Sequence, residues 1–262
     1  MAGPVGICAL CLQKRRLRDS HLFPAAILRL LRDSEFTNPN PYIMSLDYVG
    51  QSSAQAKQYL LCHDCEQQFN RNGEKWVSVN CYHAQRKTFQ LGELIELAQP
   101  ILSGTQGAAY DASRIPEIAI DKLVYFGASV VWRASLKPWR VQKEVYSPID
   151  VAPKYQEALR LFLLGSAPFP QNAASIVYLI SSAVPPSVVV FPESLDEASA
   201  RITCRFYIPG LWFFLLLGDD ITSADRSMCI LRSPCHPICL YVGADALPWQ
   251  VSYSLYMNKR EL

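Results

Sequence analysis

Two pairs of cysteines have the spacing of metal ligands. Cys8 and Cys11 are separated by two residues, and Cys62 and Cys65 repeat this spacing further along the chain. Each Cys-x-x-Cys segment can fold into a tight knuckle, and four thiolates at about 2.3 Å complete a tetrahedral zinc site. A zinc ion held by four cysteines has no open position for a substrate, so we predict a structural ion. Its binding free energy, on the order of 10 kcal/mol, would stabilise the surrounding fold.

Other cysteines and histidines leave alternatives open. One of the two pairs could be buried core cysteine that binds no metal. Cys81 and His83 could replace one knuckle if the pairing of the cysteines is different. The segment from Cys235 to Cys239 has no second cluster near it, so core or loop cysteine is the better interpretation there. His63, inside the second knuckle, is not needed as a ligand when all four cysteines bind.

The segment between the cysteine pairs contains a candidate general base. His21 follows Asp19 and Ser20, and it precedes two apolar residues and a proline. A neutral imidazole near pH 7 can accept a proton from an attacking water molecule. A lone histidine is more often an ordinary surface or core residue, so its place between two metal knuckles is what makes it a candidate.

These residues resemble the HNH nucleases, which are ββα-metal, or His-Me finger, endonucleases. The similarity is to the subgroup that carries a zinc ion held by four cysteines. More closely, the segments SHLFP and LLCHDCEQQF resemble a divergent bacterial group with Ser-His-apolar-apolar-Pro and Cys-x-x-Cys-Glu in these places. The resemblance extends over roughly residues 6–80.

The resemblance implies roles for individual residues. The family's first histidine takes a proton from water, and His21 stands in that position. The family's final histidine binds the catalytic metal, and Glu66 stands in its place. A carboxylate ligand favours magnesium or manganese over zinc. Asp19 or Glu74 would complete the site around that ion.

The activity implied by the resemblance is metal-dependent hydrolysis of DNA phosphodiester bonds, in the setting of bacterial antiphage defence. A basic run precedes His21 and would contact backbone phosphates without reading the sequence. Its members are Lys14, Arg15, Arg16 and Arg18. A run this short is equally typical of a solvated turn.

Departures from the family pattern favour a function of a different class. Lys57, Gln58 and Tyr59 occupy the stretch where the family has an asparagine, and Glu66 replaces the final histidine. The alternative is therefore a catalytically inactive zinc-binding module used for nucleic-acid or protein binding. The C-terminal β-rich region could also bind a protein partner.

Composition and charge set the broad class. The chain has 262 residues, half of them hydrophobic, which suffices for one large domain or two modest ones. Residues 1–90 hold 11 Lys and Arg against 7 Asp and Glu (+4), whereas residues 91–262 hold 14 against 16 (−2). This asymmetry allows a polyanionic partner for the N-terminal part without requiring one.

The location is predicted from the apolar runs and the cysteines. The longest apolar run, from Ile208 to Gly218, is about half as long as a membrane crossing. The basic cluster follows the N-terminal apolar run, which is the wrong order for a secretory signal. Nine cysteines, an odd number, fit a reducing cytosol better than a disulfide framework. We predict a cytoplasmic protein with no membrane partner.

Hydrophobic periodicity predicts an α+β fold in two parts. Residues 1–88 are expected to form a zinc-stiffened ββα-metal module of treble-clef-like shape, and residues 89–262 an α+β domain. In this second part, 89–166 is expected to be helical and 167–262 β-rich and mostly antiparallel. Helices are predicted over 115–136 and over 153–164, the latter ending at Gly165. Strands are predicted over 201–208 with one face buried, 211–217 with both faces buried, 228–231, 238–242 and 249–256.

Overall fold

The computed structural model shows a mixed α+β protein with two sheets. It describes residues 3–32, 38–45, 49–105, 107–141, 144–180, 188–196 and 201–241. The predicted strand over 249–256 lies outside these described residues.

The first sheet is wholly antiparallel and carries the cysteines. Its strands are β1 (Val5–Ile7), β2 (Lys14–His21), β5 (Lys57–Cys62), β8 (Trp139–Val141) and β9 (Glu144–Tyr146). They are ordered β1-β2-β5-β8-β9. Cys8 and Cys11 lie in the turn between β1 and β2, and Cys62 ends β5. The β2–β5 pairing contains a bulge between Leu17 and Asp19.

The second sheet is larger and mixed. Its strands, in spatial order, are β4 (Val49–Gln51), β3 (Tyr42–Met44), β11 (Val188–Asp196), β12 (Ile202–Ile208), β13 (Leu211–Leu217), β10 (Ala173–Ile180), β14 (Pro237–Tyr241), β7 (Gly107–Asp111) and β6 (Leu102–Gly104). The β3–β11 and β10–β14 pairs are parallel, and the other neighbours are antiparallel. Each sheet combines strands that come before residue 88 with strands that come after it. The division of the chain into two domains at residue 88 stays a prediction.

The helices surround and connect these sheets. They are α1 (Ala25–Leu30), α2 (His63–Phe69), α3 (Lys75–Asn80), α4 (Gln90–Glu96), α5 (Ile120–Leu136), α6 (Pro153–Leu164) and α7 (Ser223–Met228). A π-helical segment, Asn70–Glu74, joins α2 to α3. Across the described ranges, none of the helices combines the length and the apolar composition that a bilayer crossing requires.

Helix α5 forms the centre of the main core. It is buried on nearly every face because it packs against α6, the π-helical segment and strands of the large sheet. The π-helical segment approaches α5 closely at Gly73, where an added β-carbon would lie 3.0 Å from the backbone nitrogen of Phe126. Any larger residue at this position would push the two helices apart. The π-helical segment that continues α2 is therefore held directly against the core.

Several predicted elements agree with the structure and others are wrong. α5 lies within the predicted 115–136, and α6 spans the predicted 153–164 and ends at Gly165. The region 89–166 is not wholly helical, since it also contains the short strands β6 to β9. The prediction that β12 buries only one face is wrong, because Thr203 and Tyr207 on the other face are also buried. Tyr207 belongs to a second apolar cluster that packs on that face of the sheet.

The strand predicted over 228–231 is also wrong. Met228 ends α7, and the residues after it form a turn. The Thr222 side chain accepts from the Asp225 main-chain nitrogen, and the Asp225 carboxylate accepts from the Thr222 nitrogen. This reciprocal capping box starts a helix in a segment where no helix is predicted from the sequence.

Gly165 permits a prediction about stability. It ends α6 in the left-handed conformation, with φ of 80°, and nothing lies within 4 Å of the position of a β-carbon. Gly165→Ala is therefore expected to cost about 1 kcal/mol through backbone strain alone. Urea denaturation followed by tryptophan fluorescence measures the change. The matched control is Gly104→Ala, where the nearest atom would be 3.8 Å away and no left-handed backbone is required. Equal losses in the two variants would contradict the assignment to strain.

Candidate metal centre and adjoining pocket

Four cysteine sulfurs meet at the end of the first sheet. Those of Cys8, Cys11, Cys62 and Cys65 all lie within 4.8 Å of one another. The Cys11 and Cys62 sulfurs are 4.0 Å apart. A tetrahedron with metal–sulfur bonds of about 2.3 Å has edges of about 3.8 Å, so the cluster is within metal-binding distance. The pairing of the two knuckles expected from the sequence is confirmed at this level.

Main-chain hydrogen bonds shape the first knuckle and attach it to the sheet. The Leu12 nitrogen donates to the Cys8 carbonyl at 2.9 Å, and Leu12 has a positive φ of 58°. The Ala9 nitrogen donates to the Leu60 carbonyl at 3.1 Å, which ties the turn to β5. From α6, Arg160 Nη1 donates to the Leu10 carbonyl at 2.7 Å. The knuckle is thus held by neighbours that are distant in sequence.

The second knuckle is formed by the junction of β5 and α2. Cys62 ends the strand and precedes the first helical residue, and Cys65 lies in the first turn. The Cys62 main-chain nitrogen donates to the Cys8 sulfur at 3.3 Å. The hydrogen bond between Cys8 and Cys65 lowers the pKa of Cys8 and raises the pKa of Cys65. This contact stabilises a thiolate in the cluster, and the thiolate is the metal-binding form of cysteine.

An open pocket lies beside the four-cysteine cluster. It has a volume of about 460 Å³ and is bounded by β2, β5 and α2. Its lining residues are Gly3, Leu17, Arg18, Asp19, His21, Tyr59, His63, Glu66 and Gln67. Three of the four residues proposed for catalysis from the sequence, Asp19, His21 and Glu66, share this pocket. They come together because β2 carries the first two and α2 carries the third.

The surroundings of the His21 imidazole favour its neutral form. Partial burial lowers the pKa of His21 and the nearby Lys57 ammonium lowers it further, whereas Gln55, Asp19 and Glu66 act in the opposite direction. The net effect is a pKa below the ordinary value, so the ring is unprotonated at neutral pH. A neutral imidazole is the form that can accept a proton.

Glu66 presents an orphaned carboxylate oxygen. Its Oε1 atom is buried and has no hydrogen-bond partner in the described part of the chain. A buried carboxylate oxygen without a donor is costly, and a cation is one way to satisfy it. The residue therefore fits the chemistry of a hard divalent ion such as magnesium or manganese.

Ser20 and Asp19 have other partners. The Ser20 hydroxyl is buried and accepts from the Leu61 nitrogen at 3.2 Å, so this side chain connects β2 to β5. Asp19 is half-exposed, and its carboxylate lies 3.8 Å from the Lys57 ammonium. An exposed pair of this kind contributes little to stability. Replacing Lys57 by another cation as the partner of Asp19 would therefore cost little stability.

Glu74 does not line the pocket. It is buried, and its Oε1 lies 2.9 Å from Arg133 Nη1. Burial raises the pKa of Glu74 although the Arg133 guanidinium opposes this shift. The carboxylate proposed from the sequence as a metal ligand is instead engaged by an arginine of α5.

The basic residues of β2 are exposed, as phosphate contacts require. Arg15 donates to the Gln13 side chain and Arg16 to the Gly3 carbonyl, while Arg18 lines the pocket. Lys14 begins the strand and is exposed. These exposed cations are therefore distributed along β2, the strand that ends at His21.

Two further residues of the pocket, His63 and Tyr59, could take part in chemistry although the sequence predicts no site role for them. His63 is not needed as a zinc ligand, yet it lines the pocket from the first turn of α2. It precedes Glu66 by three residues, and this helical spacing places both on one face. Tyr59, which is 45% exposed, stands where the HNH family has an asparagine. Its pairing with Asp19 across the β2–β5 ladder brings it to the pocket, and a single sequence does not encode that register.

The remaining cysteines lie elsewhere. Cys81 is buried in the core, where desolvation raises its pKa to about 12. Cys235 lies in the turn that precedes β14, and Cys239 lies within that strand. In the part of the chain that the structure describes, the four-cysteine cluster is the group with metal-binding geometry. No protein-family model, curated protein or solved structure matches this chain.

Proposed function

We propose that this protein is a divergent, zinc-stabilised HNH-like endonuclease that hydrolyses phosphodiester bonds of DNA. One observation carries the proposal. His21 and Glu66 are distant in sequence, yet they line one pocket next to the four-cysteine cluster. The antiparallel pair β2–β5 followed by α2 supports a ββα-metal module of treble-clef-like shape.

Zinc is the proposed occupant of the cysteine cluster. Four sulfur ligands in a compact, mostly buried cluster suit zinc better than magnesium or calcium, which prefer oxygen. With four protein ligands the ion has no open position, so its role is to hold β2, β5 and α2 together. Because the same elements form the walls of the pocket, the zinc site would also fix the geometry of the pocket.

His21 is the proposed general base. Its imidazole takes one proton from a water molecule as the water oxygen attacks phosphorus, and the bond between phosphorus and the leaving sugar oxygen breaks. The leaving oxygen is then protonated by solvent or by an acidic group of the pocket. The lowered pKa of His21 supports this role because it keeps the ring neutral at the pH of the cell.

Glu66 and Asp19 are the proposed ligands of a catalytic divalent cation. A magnesium or manganese ion bound there would neutralise charge on the scissile phosphate and on the leaving oxygen. Arg18 enters the same pocket and the other cations of β2 precede it, so the DNA backbone is expected to lie along that strand.

The test is cleavage of supercoiled plasmid by the purified protein with magnesium or manganese. Glu66→Gln preserves the shape of the side chain and removes its charge, so we expect nicking to fall by at least about 10-fold. The matched control is Glu96→Gln, which neutralises an exposed carboxylate at the end of α4 and should cleave like the wild type.

The same assay distinguishes the second class of function. Binding of plasmid without nicking under either metal would overturn the nuclease proposal and favour a non-catalytic nucleic-acid-binding module. The exposed basic residues of β2 support binding in both cases, so a gel-shift measurement accompanies the cleavage assay.

A further inference from the structure

Arg133 contributes a buried charge directly behind His21. Its side chain is 1% exposed, although it lies on the central helix α5 of an otherwise apolar core. Nη1 donates to the main-chain carbonyl of His21 at 2.7 Å and lies 2.9 Å from Glu74 Oε1. Nε donates to the Ser129 carbonyl at 3.2 Å. A guanidinium buried this deeply is retained only when such partners satisfy it.

These contacts fix the peptide unit that follows His21. Arg133 holds the His21 carbonyl, and the adjoining Leu22 nitrogen donates to the Ala56 carbonyl at 3.0 Å. Both polar groups of the His21–Leu22 peptide are thus held at the end of β2. The direction in which the His21 side chain leaves the backbone follows from the orientation of this peptide.

The same guanidinium also reaches the helix that carries Glu66. Glu74 lies on the π-helical continuation of α2, and the Phe69 ring of α2 lies 5.2 Å from the Arg133 guanidinium carbon. Arg133 therefore bridges the strand of His21 and the helix of Glu66, which form two walls of the pocket.

We propose that Arg133 is a positioning residue for the nuclease centre, which sets the placement of His21 relative to Glu66 from behind the pocket. The inference rests on the proposed function. Reaction rates depend steeply on the placement of a general base, and a displacement of about 1 Å can cost on the order of 100-fold. It also gives the C-terminal part of the chain a role, because α5 supplies the residue that orients the N-terminal site.

Arg133→Lys separates positioning from charge. Lysine keeps the positive charge opposite Glu74, but its single ammonium lacks the planar fork that reaches three partners. Using the full chain, we expect kcat for DNA cleavage to fall about 10- to 100-fold. KM should remain unchanged, because Arg133 does not line the pocket where DNA would bind.

Arg205 provides a matched control. It is also a mostly buried arginine paired with a glutamate, Glu193, and its guanidinium carbon lies 5.8 Å from the Trp212 ring. It lies on β12 of the large sheet and outside the pocket. Arg205→Lys should reduce stability to a similar degree while leaving kcat unchanged.

A second readout does not require activity. The chain has four histidines, so the His21 imidazole signal in a 1H–13C spectrum can be assigned with His21→Gln. We expect this signal to move in Arg133→Lys and to stay in place in Arg205→Lys. If Arg133→Lys does not fold, Glu74→Gln loosens the other end of the bridge, and smaller changes in the same direction are expected.

Either of two results would overturn the inference: an unmoved His21 signal, or an equal loss of kcat in the Arg133 and Arg205 variants. A wild-type protein that never cleaves DNA would overturn the proposed function instead. In that case the imidazole signal alone decides whether Arg133 positions His21.

Discussion

Cys62→Ser is expected to abolish zinc binding and to unfold the first sheet. A serine hydroxyl stays protonated at neutral pH and is a poor ligand for zinc, so a site of four thiolates loses a quarter of its bonds. The binding free energy at stake is on the order of 10 kcal/mol, as large as the net stability of a typical domain of about 5–15 kcal/mol. β2, β5 and α2 meet at this cluster, and its loss should also cost solubility.

Metal analysis and circular dichroism measure these effects. The wild type should contain one zinc ion per chain, and Cys8→Ser should behave like Cys62→Ser. The matched control is Cys235→Ser, which alters a partly exposed thiol outside the cluster and should retain both zinc and fold. Stoichiometric zinc in a Cys62→Ser, Cys65→Ser double variant would show that the ligands are assigned wrongly.

The cysteine cluster could be predicted from the sequence because each Cys-x-x-Cys spacing is visible within four consecutive residues. A Cys-x-x-Cys turn has few ways to fold, and two such turns are sufficient to indicate one site. The approach of Asp19, His21 and Glu66 follows from the same constraint. When the two cysteine knuckles meet at one metal site, β2 is brought beside α2. This follows for any conformation of the segment that connects β2 to β5.

The partners of buried charged residues could not be predicted in this way. The family resemblance implies Asp19 or Glu74 as a further ligand of the ion near Glu66. The Glu74 side chain instead turns to Arg133, whose burial depends on how α5 packs, and a single sequence contains no direct signal of that contact. The pairing of β3 with β11 is a similar case, because strands far apart in sequence are joined only in the complete fold.

The four-cysteine cluster and the pocket share their supporting elements, and this arrangement has a physical consequence. β5 ends in a cysteine of the cluster, and α2 carries both Cys65 and Glu66. A zinc ion that fixes Cys65 therefore also fixes the residue next to it. Damage to the metal site should abolish activity through the loss of structure, so only a variant that leaves the cluster intact can test the chemistry.

His21→Ala is such a variant, and it is expected to abolish nearly all DNA cleavage. Removing a general base typically lowers the rate by about 100- to 10,000-fold. The substitution removes a partly buried, neutral ring at the end of β2 and touches none of the four cysteines. Zinc content, the thermal unfolding midpoint and DNA affinity should therefore remain close to those of the wild type. Single-turnover cleavage of a fluorescent DNA measures the chemical step.

Two further variants make this result specific to His21. His236→Asn removes an imidazole outside the pocket, and asparagine tolerates the positive φ of 40° at that position, so its cleavage rate should be unchanged. His63→Ala removes the second imidazole of the pocket. Loss of cleavage in His63→Ala together with a normal rate in His21→Ala would transfer the role of base to His63. Such an exchange is chemically reasonable because the two rings face the same space, and it would place the base on the helix of Glu66 rather than on β2.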